Sequence, residues 1–184
     1  MTTLTIPSLC TAEEFLLRED LTAPVELVKG VVRQMPPPFA RHAQVCAKLA
    51  RLLGNFADEK HGHVLTNDAC IITQRGPDTV RGADVCYLSY AKVSKGPLPE
   101  GYLPAQPELV VEVRSPTDRW KDILKKVLEY LDAGVTVVCV LDPTTETGRI
   151  YRSDRDEEQI KNGDLVRFDD VLPGFSVPLK QLFE

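Results

Sequence analysis

Glu112 stands inside an apolar run, Pro107-Glu108-Leu109-Val110-Val111-Glu112-Val113-Arg114-Ser115. The flanking leucine and valines predict a central strand covered on both faces. An ionised carboxylate is almost never left in such a strand unless a cation or a hydrogen-bond donor meets it. Strand side chains alternate, so Val110, Glu112 and Arg114 share one face while Leu109, Val111 and Val113 share the other. An acid and a base two residues apart are either an ion pair on a half-exposed face or part of a site. Asp84 opens a second apolar strand, Gly82-Ala83-Asp84-Val85-Cys86-Tyr87-Leu88. Two carboxylates converging on one point can hold Mg²⁺ or Mn²⁺ and leave positions for water and a phosphate oxygen. Such an ion acidifies its water and offsets charge building on the phosphate, and a nearby ammonium can orient or deprotonate that water. Lys125 and Lys126 are both candidates. Lys126 lies beside Ile123 and Tyr130 and Lys125 beside Leu128, on the two edges of one apolar stripe, so periodicity leaves the choice open.

These residues need elements to position them. Thr11 with Glu14 forms a capping box ahead of Phe15, Leu16 and Leu17, predicting a helix to about Arg18. Val25–Val28 and Val31–Met35 read as a hairpin turning on Lys29-Gly30, where glycine supplies a positive φ. Val45, Leu49, Leu52, Leu53 and Phe56 set a helical period over Arg41–Glu59. Strands are predicted at His63–Thr73 and Val80–Ser89. Ala91–Pro107 holds four prolines and two glycines without an apolar period. It reads as a long loop expected to flank the cleft, with Lys92 and Lys95 facing phosphates. Ser115 as N-cap, Pro116 at the first helical position and Asp118 at the third predict a helix running to a stop at Gly134. Thr136–Leu141 is a second buried strand. Strand, helix and strand in so short a span make a βαβ unit, hence a parallel pair with a right-handed crossover. Further strands fall near Arg149–Tyr151 and Leu165–Phe168.

The whole is expected to be one domain over residues 1–184, ordinary in its 43% hydrophobic and 27% charged content. No apolar stretch is long enough to span a bilayer, and Met1–Thr5 lacks the basic and apolar regions of a signal peptide. Five widely spaced cysteines (Cys10, Cys46, Cys70, Cys86, Cys139), with no CxxC, suit buried free thiols in a reducing cytoplasm and argue against a zinc site built from them. A net charge of −5 argues against a strong non-specific nucleic-acid binder but not against an enzyme touching nucleic acid locally. His61-Gly62-His63 has no third partner in view and is set aside. Phosphate-cradling glycine loops and Gly-x-Ser-x-Gly are absent.

Asp84, Glu112 and a basic partner, in this order of elements, resemble the PD-(D/E)XK nuclease core. More narrowly, the chain resembles the Uma family of bacterial restriction endonucleases. The resemblance is carried by Glu26-Leu27-Val28-Lys29-Gly30, Arg41-His42, Ala83-Asp84-Val85, Leu109–Pro116, Lys126 with Tyr130–Val135, and Leu172-Pro173-Gly174-Phe175. It implies an α/β fold (an α+β mixed sheet) with an αβββαβ core, to which an N-terminal helix and hairpin are added. It also implies a Mg²⁺- or Mn²⁺-dependent endonuclease acting on DNA, with Asp84 and Glu112 as metal ligands and Lys126 as the catalytic lysine. The backbone carbonyl of Val113 is expected to complete the metal shell. Glu26, His42 and Arg114 are secondary candidates. Ala83 replaces the proline of the superfamily motif, and Arg114 stands where a lysine is usual. Arginine stays protonated and cannot be a general base, so that task falls to Lys126 or to substrate phosphate. A homodimer would gather the few basic residues of this acidic chain into one cleft. The alternative function is a catalytically silent nuclease-fold module that binds nucleic acid or a protein partner.

Overall fold

The computed structural model describes residues 9–20, 24–57 and 61–184. Met1–Thr5 and Glu59, the expected end of the second helix, lie outside them. The chain forms α1 (Ala12–Leu16), β1 (Val25–Val28), β2 (Val31–Gln34), α2 (Ala40–Ala57), β3 (Gly62–Gln74), β4 (Thr79–Ser89) and β5 (Leu109–Val113). There follow α3 (Trp120–Asp132), β6 (Val137–Asp142), β7 (Thr147–Arg152), β8 (Arg155–Ile160), β9 (Leu165–Arg167), β10 (Ser176–Pro178) and α4 (Leu179–Phe183).

One mixed sheet runs β2-β1-β4-β5-β6-β7-β8, with β3 paired to β4 beside this path. The β5–β6 pair is parallel, as the βαβ pattern requires, and the other pairs of this sheet are antiparallel. α2 covers one face, burying Val45, Leu49 and Leu53 against Val85, Val111, Val113 and Cys139. α3 covers the other, burying Ile123, Val127 and Tyr130 against Ala83, Cys86, Val110 and Val138. Alternation along β5 thus feeds two cores, which is why its five residues are all buried.

The β1–β2 turn uses positive φ at both Lys29 (50°) and Gly30 (74°), the pattern that matches a hairpin's twist. The capping box at Thr11 is formed. The start of α3 differs from expectation. Ser115 and Asp118 bond to each other, Asp118 N to Ser115 O and Ser115 N to Asp118 Oδ2, in a turn that precedes the helix. α3 begins only after Arg119, which offers no side-chain cap.

The Ala91–Pro107 loop is tied down along its length. Its bonds include Tyr102 to Ala12 O, Leu103 to Cys70 O and Gln106 to Ile72 O, which fasten it to α1 and β3. Lys92 reaches back to Gln106 O and Glu108. Among the described residues, no helix is long and apolar enough to cross a membrane.

A candidate active site in a gap of the sheet

One edge of β4 changes partner along its length. β1 pairs with it at Val80, and β5 pairs with it at Val85, Cys86 and Tyr87. Between these contacts Arg81, Gly82, Ala83 and Asp84 have no strand beside them in that register, and charged side chains fill the gap. Glu26 Oε1 accepts from Gly82 N at 3.4 Å, and Tyr130 hydroxyl donates to Gly82 O at 3.4 Å. Asp84 lies one step beyond the Val85–Val111 pair, which puts it across from Glu112 where the strands part. On the opposite edge β3 bulges: pairing skips from Thr66 to Ala69, and Asn67 and Asp68 adopt left-handed φ of 68° and 58°. Bulges beside a site re-aim the neighbouring backbone. Here the irregularity falls opposite Asp84.

Lys126 is the hub. Its ammonium lies 2.8 Å from Glu26 and 3.3 Å from Glu112. Glu112 also accepts from Tyr130 hydroxyl at 2.8 Å. Glu26 in turn holds Arg81 at 2.6 Å, and Arg81 holds Glu129 at 2.7 Å. Glu26, Glu112 and Arg81 are all buried. Lys125 instead points outward, half exposed, toward Glu129. Asp84 Oδ2 accepts from Val113 N at 2.6 Å and lies 3.2 Å from His42 Nε2.

The electrostatics follow from crowding. Burial, then the charges of Asp84 and Glu26, push the Glu112 carboxyl above the ordinary glutamate range, although Lys126 and Tyr130 pull it down. Burial alone would lower Lys126, but Glu112, Glu26 and Asp84 more than offset it and hold the ammonium charged. His42 behaves alike: burial works against its charge, and the bond and charge of Asp84 prevail. The charges of Asp84 and Glu26 act against that of Glu112, a repulsion that a further cation would relieve. The all-oxygen pair of Asp84 and Glu112 suits Mg²⁺ or Mn²⁺. Both bonds to Asp84 use Oδ2, which leaves Oδ1 for such an ion.

Arg114 is elsewhere. Its guanidinium bonds Asp142 Oδ2 at 2.9 Å and Asp118 O at 3.0 Å and stacks on Trp120. It forms an ion pair, but with Asp142 rather than with Glu112. His61 stacks on Phe56 and His63 meets Tyr90 edge-on, so ring contacts account for both. Sequence reasoning missed Arg81, Glu129, Asp68 and Cys46. Arg81 carried the same signal as Glu112, a charge inside an apolar strand. Asp68 and Cys46 join only because a bulge and a helix turn bring them to Asp84.

Residues 12–180 match the Uma2 family, described as “Putative restriction endonuclease”. The fold is similar to a “putative nuclease belonging to DUF820” from Anabaena variabilis, a crystal structure matched with a TM-score of 0.79 at 19% identity. The match covers 94% of this chain and 97% of that one. No curated protein sequence matches the chain.

Proposed function

The chain belongs to the Uma2 family of “Putative restriction endonuclease” proteins, and on that footing we propose that it hydrolyses DNA phosphodiester bonds with a divalent metal ion. The observation that carries this reading is the Lys126 ammonium set between Glu26 and Glu112 beside Asp84, in the stretch of β4 where sheet pairing is interrupted. A silent module has no physical reason to keep Asp84 and Glu26 where their charges push the titration of buried Glu112 upward.

Asp84, Glu112 and the Val113 carbonyl would hold the ion. When bound, Mg²⁺ or Mn²⁺ supplies an activated water and offsets charge on the phosphate. Lys126 orients that water and faces the developing charge, with Glu26 fixing the ammonium in place. Tyr130 fixes Glu112 from the other side. Of the two groups expected to meet the phosphate, Arg114 is occupied by Asp142, Asp118 O and Trp120, which leaves His42 for that role.

The test is nicking of supercoiled plasmid by the purified chain with Mg²⁺ or Mn²⁺, alongside Asp84→Asn. Metal-dependent nicking that vanishes in the variant is the expected result. No cleavage with either metal on plasmid, linear or single-stranded DNA would leave the binding-module reading in its place.

A further inference from the structure

Three donors of different chemistry meet at the side of the gap nearest α2. His42 and Cys46 are four residues apart on α2, so one helical turn stacks them. Asp84 closes the group from β4. One ligand atom from each lies within 4.8 Å of the other two. Cys46 Sγ is 3.6 Å from His42 Nδ1, and His42 Nε2 is 3.2 Å from Asp84 Oδ2. The side chains of His42 and Asp84 are 12% and 13% exposed, while Cys46 is buried at the edge of the core, so an ion reaches the thiol past the histidine and the aspartate.

Nitrogen, sulfur and carboxylate oxygen are not a Mg²⁺ set. Hard cations take oxygen, whereas Zn²⁺ accepts cysteine, histidine and aspartate together. Zn–S and Zn–N bond lengths at a tetrahedral angle place the two donors about 3.6 Å apart, which is the Cys46–His42 separation found here. The ring now shows Nδ1 to the sulfur and Nε2 to the carboxylate, so seating one ion on all three needs the imidazole or Asp84 to turn.

We propose that His42, Cys46 and Asp84 form a second cation site, for a thiophilic divalent ion such as Zn²⁺ or Cd²⁺, which takes Asp84 from the Mg²⁺ site and shuts off cleavage. The shut-off rests on the nuclease reading; the site does not. On binding, the Cys46 S–H bond breaks and a sulfur–metal bond forms, the proton leaving to solvent. His42 binds through a nitrogen that has given up any proton it carried.

Cd²⁺ is the probe, titrated into the full chain with the thiolate-to-cadmium ultraviolet band as readout. A band saturating at one Cd²⁺ per chain is expected. It should vanish in Cys46→Ser and persist in Cys10→Ser and Cys70→Ser, the variants of the two partly exposed thiols. His42→Ala should weaken binding by about tenfold or more. A band that survives Cys46→Ser, or that is lost with Cys10 or Cys70, overturns the site. Should Cys46→Ser fail to fold by circular dichroism, Asp84→Asn decides: it keeps the thiol, so weaker binding supports the site and unchanged affinity refutes it. In the activity arm, Zn²⁺ should inhibit Mn²⁺-supported nicking by wild type and not by Cys46→Ser. Equal inhibition of both refutes the shut-off. If wild type never nicks but the cadmium band behaves as expected, the site stands and the nuclease reading falls.

Discussion

Lys126 is chemically unlike its neighbour Lys125 only because of what surrounds it. Two carboxylates at 2.8 and 3.3 Å keep its ammonium charged, while Lys125 stands half exposed beside Glu129. A single charged contact in a water-poor site is worth about 2–4 kcal/mol of barrier, or roughly 10²–10³ in rate. Lys126→Ala should therefore slow plasmid nicking by about that factor, and Lys125→Ala should change it little. Equal losses, or a dead Lys125→Ala, would put the chemistry on the wrong edge of α3. Because the surrounding acids hold the charge, Lys126→Arg should retain more activity than Lys126→Ala; an arginine variant as slow as the alanine one would mean that the lysine must give up its proton. Periodicity could not separate the two lysines, since each flanks the apolar stripe. The structure separates them through Glu26, which arrives from a distant hairpin that no helical wheel contains.

The gap that holds the site is a property of β4 and its changing partners. Its two borders were legible in part. The Lys29-Gly30 hairpin and the βαβ unit follow from turn chemistry and apolar runs, and both formed. That β1 would dock at Val80 while β5 docks further along, from Val85, was not legible, because non-local pairing leaves no local pattern. β8 (Arg155–Ile160) was also missed: five of its six residues are exposed, so it carries charge at the sheet edge instead of alternation. The helix start at Ser115 was misread because an Asp three residues after a Ser caps a turn as well as it caps a helix. The hairpin's contribution can be tested at Glu26. Removing it leaves Arg81 buried with one partner fewer and Lys126 with Glu112 alone. Breaking a buried pair from one side costs about 3–5 kcal/mol, so Glu26→Ala should lower the denaturation midpoint strongly. Replacing Arg81 as well should recover part of that loss. A Glu26→Ala variant as stable as wild type would mean that the network is not holding β1 to β4.

For the molecule as a whole, the cluster makes stability depend on pH and on metal. The folded-state pKa of Glu112 is raised by burial and by Asp84 and Glu26, so the folded chain binds a proton more tightly than the unfolded one. Stability therefore falls as pH rises from the ordinary glutamate range through the raised value. Glu112→Gln removes this dependence. In the absence of metal it should melt higher than wild type at pH 8, and the difference should shrink toward pH 5, where wild-type Glu112 has taken up its proton. A tenfold difference in proton affinity between the folded and unfolded chain is worth about 1.4 kcal/mol, and 1 kcal/mol moves the midpoint of a chain this size by roughly 2–4 °C. A bound divalent ion reverses the balance. Mg²⁺ at a hundred times its dissociation constant adds about 2.7 kcal/mol to the native state, so it should raise the wild-type midpoint and leave Glu112→Gln nearly unmoved. The two melts, with and without Mg²⁺ at each pH, separate the outcomes. If Glu112→Gln melts below wild type by the same margin at pH 5 and pH 8, Glu112 is a structural acid satisfied by Lys126 and Tyr130. The cluster would then have no charge left over for a metal ion to meet.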